Sequence, residues 1–274
     1  NGGPVAHTLG GPNRVGARAS RITRSAYEPI VAVRLPYSRG HAGRRFRASG
    51  GLWCCPPCEE SPAVTQIGIL GAGGQAREVA DFAPDIDVVF FAVDEPFFEE
   101  GAFASGVPLI NLADPSIDER STAVVVAVGA PGLRHDLVCR WQGETYASVI
   151  AERVYRSTDS TLAAGCIVAP GAVLMVGCVL EQHVLVNAGV TVGHGTVIEE
   201  FVTLSPGVHI GGDCRIGKGT FVGIGASVSN GVTVGEGARI GAGAVVLDDL
   251  APWGVYVGVP ARRVRQVEEW LRGF

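Results

Sequence analysis

The chain has 274 residues, of which 47% are hydrophobic, so it is long enough for two domains with buried cores. Its net charge is −5, and its basic excess is confined to residues 1–65, with nine arginines against three glutamates, which argues against nucleic-acid binding by the body of the chain. The longest apolar run, residues 123–128, is far too short to cross a bilayer, so no membrane insertion is expected.

The cysteines point to no disulfide framework, because their number is odd and their spacing is irregular. They stand at positions 54, 55, 58, 139, 166, 178 and 214. Cys55 and Cys58 form a C-x-x-C pair, but a zinc site needs a second ligand pair, so no metal site is predicted. No apolar core ahead of a small-residue cleavage site is visible near the first residue, and the cytoplasm is therefore the expected compartment.

The first two segments differ sharply in composition and hydrophobic pattern. Residues 1–65 are rich in Gly, Pro, Arg and Ser without a hydrophobic period, and are expected to be disordered or a non-native extension. From Gln66, the run "IGILGAGGQAREVADFA" predicts a buried strand at 67–70, a glycine turn at 71–74 and a helix with Val79, Ala80 and Ala83 inward. Further strands at 87–95 and 122–129 and a helix at 132–142 predict that residues 66–150 form a small parallel, Rossmann-like α/β domain.

The third segment, residues 151–274, is built on a repeat of six residues. From Ser160 the chain divides into fifteen consecutive blocks, STLAAG to AVVLDD, without an insertion. The third place of every block is Leu, Val or Ile, and glycine ends eleven of the fifteen. One inward aliphatic residue per block is typical of a hexapeptide β-helix, in which three blocks close one triangular coil. The repeat therefore predicts a parallel β-helix of about five coils, about 24 Å long at about 4.8 Å per layer.

Block position also predicts the environment of several side chains. Cys166, Cys178 and Cys214 occupy the small first place of their blocks, where a compact apolar side chain packs inside the coil. The tail from Ala251 to Phe274 is expected to cap the open edge of the last coil. His183 stands in a block-ending place, and His209 precedes an inward residue, so both are expected at the surface.

The chain from residue 66 to about residue 265 resembles the left-handed β-helix acyltransferases that acetylate bacterial nucleotide-linked amino sugars or sialic acid. The resemblance rests on "GAGGQAREV", "FFAVDE", "VNAGVTVGHGTVI", "GVTVGEGARIGAGAVV" and "VYVGVPARRV", in this order. It is strongest to the subfamily with a small nucleotide-sugar-binding α/β domain in front. The resemblance implies a left-handed coil and a homotrimer with acetyl-CoA, as co-substrate, in the groove between neighbouring prisms.

The substrate residues implied by the resemblance lie in the α/β domain. Glycines after a strand let the backbone approach a phosphate at a helix N-terminus, which suits a nucleotide-sugar at Gly73, Gly74 and Gln75. Asp94 and Glu95 end a strand and could accept hydrogen bonds from a base or ribose, although a solvated strand end has the same pattern. Gly129 matches a place where the backbone lies against the ligand, again at the carboxyl end of a parallel strand.

The catalytic and cofactor residues lie in the repeat. A general base with a pKa near neutrality suits removal of a proton from a sugar amine, and the base of the family falls on His194, with the preceding Asn on Asn187. Residues 18 apart stack in successive coils, so Gly212 lies over His194 and leaves room for a slender ligand chain. The predicted cofactor-binding residues are Thr203, Gly212, Ile224 and Ala242, of which the last two stack on a different corner.

Two departures from the family keep alternatives open. The family usually has Asp or Glu directly after the catalytic His, where this chain has Gly195, and often a second His nine residues on, where it has Thr203. We expect N-acetylation of a nucleotide-linked amino sugar in surface-glycan synthesis. O-acetylation of sialic acid or another sugar is one alternative, and a catalytically silent, trimeric sugar-nucleotide-binding scaffold is the other. The nucleotide and the sugar are not specified by these residues.

Overall fold

The computed structural model describes residues 32–33, 66–83, 86–98, 106–114 and 122–273. Within the first 65 residues it describes only β1 (Ala32–Val33), which pairs parallel with Ser148 and Val149. The expected disorder of that segment, and the environment of Cys54, Cys55 and Cys58, lie outside the described residues.

The first domain is a small sheet with two helices. Its elements are β2 (Gln66–Leu70), α1 (Gly74–Phe82), β3 (Asp87–Val93), a 3-10 helix (Glu95–Phe97), β4 (Leu109–Asn111), β5 (Val124–Val126) and α2 (Pro131–Arg140). The four strands are parallel in the order β4-β3-β2-β5. The predicted strands and helices are confirmed within slightly different bounds, whereas β4 was not predicted. No helix in the described part of the chain has both the length and the apolarity to cross a membrane.

The second domain is a prism of short parallel strands. Its strands are β6 (Ser148–Ile150), β7 (Tyr155–Arg156), β8 (Thr161–Leu162), β9 (Ile167–Val168), β10 (Val173–Leu174), β11 (Val179–Leu180), β12 (Leu185–Val186), β13 (Thr191–Val192), β14 (Val197–Ile198), β15 (Thr203–Leu204), β16 (His209–Ile210), β17 (Arg215–Ile216), β18 (Phe221–Val222), β19 (Ser227–Val228), β20 (Thr233–Val234), β21 (Arg239–Ile240), β22 (Val245–Val246), β23 (Gly254–Val257) and β24 (Arg262–Gln266). The coil thus begins before the first predicted block, at β6, and extends past the last one to β23.

Every third strand joins the same face of the prism. The first face contains β6, β9, β12, β15, β18, β21 and β23. The second face contains β7, β10, β13, β16, β19 and β22, and the third contains β8, β11, β14, β17 and β20. Paired residues are 18 apart, as in Val173 with Thr191 and Leu185 with Thr203. The third-place aliphatic residues of all fifteen blocks are at most 5% exposed, so the hexapeptide register predicted the core correctly. Cys166, Cys178 and Cys214 are also buried, as predicted, and burial raises the pKa of the Cys166 thiol to about 12.

The block-ending residue lies in the left-handed backbone region in fourteen of the fifteen blocks. Glycine holds this place with φ between 63° and 76° in eleven of them. Three other residues adopt the same conformation at this place, namely His183 (φ 56°), Phe201 (φ 58°) and Asp213 (φ 56°). Side chains are uncommon in this region, so each exception calls for a local physical reason.

The tail caps the prism, as predicted, and then continues to the first domain. β23 pairs with β21, and β24 folds back antiparallel on β23. Beyond β24 the chain runs along the prism to α2, where the N–H of Gly132 donates to the carbonyl of Leu271 at 2.8 Å. The ring of Trp270 occupies the space above Gly219, where a Cβ would lie 2.2 Å from the indole.

One corner of the prism is packed with aromatic rings, and we call it the aromatic corner (residues 181–184, 199–202 and 217–220). His183 stacks on Phe201 at a centroid distance of 5.0 Å, and Tyr146 meets His183 edge-on at 4.6 Å. Trp270 covers Phe201 at 5.8 Å. The expected surface position of His183 is therefore wrong, since the residue is only 3% exposed, whereas His209 is exposed as predicted. A single-residue pattern could not show that α2 and the tail cover this corner.

Candidate functional site

A cleft of about 1100 Å³ lies where the α/β domain meets the prism. From the first domain it is lined by Gly73, Gly74, Gln75, Asp94 and Gly129, and from the prism by Asn187, Thr203, Ile224 and Ala242. The structure therefore brings together nine of the twelve predicted site residues. Glu95, His194 and Gly212 are not among the residues that line it.

The glycine turn leaves the start of α1 open to the cleft. Gly73 is the N-cap residue without a side-chain cap, and no acidic residue stands in the first turn of the helix. A Cβ at Gly73 or Gly74 would meet nothing within 4 Å. The side-chain nitrogen of Gln75 is buried without a hydrogen-bond partner among the described residues. Helix N–H groups with a positive dipole end therefore face free space, which suits a phosphate.

The two predicted carboxylates after β3 differ in their surroundings. Arg140 forms a bidentate ion pair with Asp94, with its Nη1 2.6 Å from Oδ2. Glu95 accepts a hydrogen bond from the side-chain nitrogen of Asn111 at 2.6 Å, and lines a separate, smaller hollow. Asp94 is thus held in one orientation at the cleft wall, while Glu95 faces away from the cleft.

A buried arginine beside the cleft joins the two domains. Arg134 of α2 is 1% exposed and donates to the carbonyls of Val128, His183 and Phe201 at 2.6, 3.0 and 2.7 Å. It also donates to Oγ1 of Thr203 at 3.0 Å. Burial lowers the pKa of Arg134 to about 9. Arg134 was not among the predicted site residues, because a single arginine in a predicted helix carries no signal that distinguishes it from a surface residue.

Thr203 connects a predicted cofactor position to a predicted substrate position. Its hydroxyl donates to the carbonyl of Gly129 at 2.7 Å, and the residue is 1% exposed. Thr203 lies on the first face of the prism, on the floor of the cleft. Within one chain it thus orients the backbone of Gly129.

The predicted cofactor residues Ile224 and Ala242 lie on the corner between the first and second faces, which we call the cleft corner (residues 187–190, 205–208, 223–226 and 241–244). The side chain of Ile224 is 62% exposed. A Cβ at Gly223 would lie 2.6 Å from the backbone N of Ala242, so the coils stack closely there. Asn187 is on the same corner, 8% exposed, and its Nδ2 donates to the carbonyl of Leu204 at 3.2 Å.

His194 lies on another corner, between the second and third faces, which we call the histidine corner (residues 193–196 and 211–214). Its side chain is 63% exposed. The imidazole rests on Gly212, where a Cβ would lie 2.5 Å from the ring, so the space left by this glycine holds the imidazole itself. One chain does not bring His194 together with Asn187, because the two corners stand at opposite ends of the second face.

A carboxylate that was not among the predicted site residues, that of Asp213, accompanies His194. Oδ2 of Asp213 lies 3.6 Å from Nδ1 of His194, and the backbone N–H of Asp213 donates to the carbonyl of His194 at 2.7 Å. The available signal was the repeat itself, since Asp213 replaces a block-ending glycine and stands 18 residues after Gly195. Among the described residues, no group of three or more His, Cys, Asp or Glu side chains is arranged to hold a metal ion.

Comparisons with known proteins agree with this architecture. The family model "Bacterial transferase hexapeptide (six repeats)" matches residues 213–248. The acetyltransferase domain of PglB from Neisseria gonorrhoeae is 29% identical, with a TM-score of 0.67 over 73% of this chain and 100% of that chain. PerB from Caulobacter crescentus, solved with CoA and GDP-perosamine, is 27% identical, with a TM-score of 0.66 over 74% of this chain and 99% of that chain.

WeeI from Acinetobacter baumannii has the same fold, with a TM-score of 0.63 at 24% identity over 73% of this chain and 100% of that chain. A search of the curated proteins found no match. The comparisons confirm the predicted fold class, a small parallel α/β domain followed by a left-handed parallel β-helix.

Proposed function

We propose that this chain, which belongs to the left-handed β-helix sugar acetyltransferases, is an acetyl-CoA-dependent enzyme. It transfers the acetyl group of acetyl-CoA to the amino group of a nucleotide-linked amino sugar, with His194 as general base. The observation that carries this proposal is the single cleft shared by the glycine turn of the α/β domain and the cleft corner of the prism. The PerB structure holds CoA and GDP-perosamine, one ligand of each kind. We assign the reaction to the synthesis of surface glycans.

The nucleotide-sugar binds on the side of the α/β domain. Its diphosphate lies at the N-terminus of α1, where Gly73 and Gly74 line the cleft and leave room for a ligand. The unpartnered nitrogen of Gln75 donates to the ligand, which removes the penalty for a buried polar group without a hydrogen bond. Asp94, held by Arg140, accepts hydrogen bonds from the base or ribose.

Acetyl-CoA binds along the cleft corner. The exposed Ile224 side chain offers apolar surface to the pantetheine arm, and Ala242 stacks on it one coil further. The closely stacked glycines beside them keep this surface flat enough for a slender chain. The thioester then points toward the floor of the cleft, where Thr203 fixes the carbonyl of Gly129.

The reaction needs a neutral amine. The sugar nitrogen attacks the thioester carbon, the C–N bond forms, and the C–S bond breaks with release of CoA as the thiol. His194 removes the proton that the nitrogen must lose, and a side chain 63% exposed on a corner is accessible for this purpose. Backbone N–H groups stabilise the tetrahedral oxyanion.

The position of His194 supports assembly into a homotrimer. Within one chain the base lies on the histidine corner, whereas the cleft opens at the cleft corner. A neighbouring copy that packs its histidine corner against the cleft would supply the missing base. Three prisms arranged around a threefold axis provide three such sites.

The test is release of thiol from acetyl-CoA in the presence of UDP-, GDP-, CMP- and dTDP-linked amino sugars. We expect one of these substrates to support turnover, and His194→Ala to lower kcat about a hundredfold or more. His209→Ala is the matched control, since His209 is exposed on the second face and is hydrogen-bonded to Thr191. Undiminished turnover by His194→Ala would contradict its assignment as base.

The shared site is tested by mixing two inactive chains. Ala242→Trp blocks the cleft corner, and His194→Ala removes the base. Co-expressed in one assembly, these chains should regain part of the activity, because some sites combine an intact cleft with an intact histidine. A mixed assembly as inactive as its components would place base and cleft in the same chain.

A further inference from the structure

We propose that Asp213 is the positioning residue of His194 and replaces, from the next coil, the acidic neighbour that position 195 lacks. This inference rests on the proposed function of His194. It concerns a residue 19 positions away in sequence, outside the motif "VNAGVTVGHGTVI".

The coil register makes positions 195 and 213 equivalent. They are 18 residues apart, both end their blocks, and both have positive φ, 65° for Gly195 and 56° for Asp213. A Cβ at Gly195 would lie 2.3 Å from Oδ1 of Asp213. A side chain at position 195 would therefore require the Asp213 carboxylate to move, and in this chain only the second of the two positions carries a side chain.

The backbone at Asp213 singles it out among the exceptions to glycine. His183 and Phe201 adopt positive φ within the aromatic corner, where each ring is packed between neighbours. The side chain of Asp213 is 71% exposed, so burial gives no reason for its presence. The interaction within reach is with His194, whose Nδ1 lies 3.6 Å from Oδ2.

The carboxylate acts by selecting the orientation and tautomer of the imidazole. Gly212 supports one face of the ring, and Asp213 stands at its Nδ1 edge. When Nδ1–H donates to the carboxylate, Nε2 is left unprotonated and can accept the proton of the amine. The distance of 3.6 Å is longer than a hydrogen bond, and a small rotation of either exposed side chain closes it.

The experiment uses Asp213→Asn and an exchange of the two positions. Asn is tolerated at positive φ and removes only the charge. We expect Asp213→Asn and Asp213→Gly to lower kcat about tenfold to a hundredfold, with the KM values for acetyl-CoA and sugar nearly unchanged. The double variant Gly195→Asp, Asp213→Gly returns a carboxylate to the coil of His194 and should recover most of the lost kcat.

A spectroscopic measurement separates this inference from the proposed function. The ¹⁵N chemical shifts of the His194 imidazole, assigned with His194→Ala, should report Nδ1–H in the natural chain and a changed tautomer ratio in Asp213→Asn. If no sugar is acetylated, the proposed function fails, but the tautomer result still tests Asp213. An unchanged tautomer ratio, or an exchange variant no more active than Asp213→Gly, would overturn the role of Asp213.

Discussion

The aromatic corner and the histidine corner break the same glycine pattern for opposite reasons. At the aromatic corner His183 is 3% exposed, stacked on Phe201, and its Nδ1 has no hydrogen-bond partner among the described residues. At the histidine corner Asp213 is exposed and faces an exposed His194. A residue other than glycine at a block end thus marks either the packing of another segment on the coil or a polar group used at its surface. Burial, which the repeat alone does not reveal, distinguishes the two cases.

The largest loss of stability is expected when the buried arginine under the aromatic corner is removed. Arg134→Met leaves the carbonyls of His183 and Phe201 without their donor, and we expect the free energy of unfolding to fall by about 3 kcal/mol. Arg134→Lys, which keeps the charge but not the planar set of donors, should lose less. Urea unfolding at fixed protein concentration measures both variants. A loss no larger than that of Arg140→Met would show that the buried hydrogen bonds contribute little.

A smaller effect concerns acid. Burial, with lesser contributions from Arg134 and His135, lowers the pKa of His183 to about 3. Below the ordinary histidine pKa of about 6.5, the unfolded chain binds a proton on this side chain, whereas the folded chain does not. The contribution of His183 to the free energy of unfolding is therefore complete above pH 6.5 and is lost as the pH falls toward 3.

We expect this residue to account for a fall of about 2 kcal/mol in the free energy of unfolding between pH 7.5 and pH 5. His183→Phe should abolish that share of the pH dependence, and Phe201 shows that this corner accepts a phenyl ring at positive φ. His209→Phe, at an exposed position, is the matched control and should keep the full dependence. Equal slopes for both variants in denaturation at a series of pH values would contradict the assignment.

The smallest effect should have the opposite sign. Asp213→Gly relieves the unfavourable φ of 56° and loses only an exposed contact with His194, so the free energy of unfolding should rise by about 0.5 kcal/mol. His183→Gly, the same replacement at the aromatic corner, should lower it by about 2 kcal/mol through loss of a buried ring. Thermal unfolding of the two variants measures these opposite changes in stability. A common sign would mean that the two corners do not differ as described.

The fold was largely predictable because its rule is local. One aliphatic residue in each block of six determines which side chain points inward, and all fifteen are buried. The glycine turn of the α/β domain and the stacking of Ile224 on Ala242 followed from the same kind of short-range pattern. β4 was not predicted because it is a strand of only three residues without a clear alternation of apolar and polar side chains.

The parts of the site that could not be predicted depend on contacts between distant segments. Arg134 reaches its carbonyl partners only because α2 lies on the prism, and His183 is buried between Tyr146 and Phe201. Asp213 was accessible in principle, since the stacking that placed Gly212 over His194 also places Asp213 over Gly195. A motif of consecutive residues around His194 does not include that neighbour, which is 19 residues away.

The path of the last residues has a mechanical consequence. A solenoid is expected to unravel from its ends, because each terminal coil has only one neighbour to hold it. Here the chain leaves the final coil at β24, returns along the prism, and reaches α2 through Leu271. The outermost coil is thereby fastened to α2 of the first domain, which lies on coils nearer the middle of the prism. Fraying of the last coil must first detach Trp270 from Phe201, so the last coil and the contact with α2 should open together in one cooperative step.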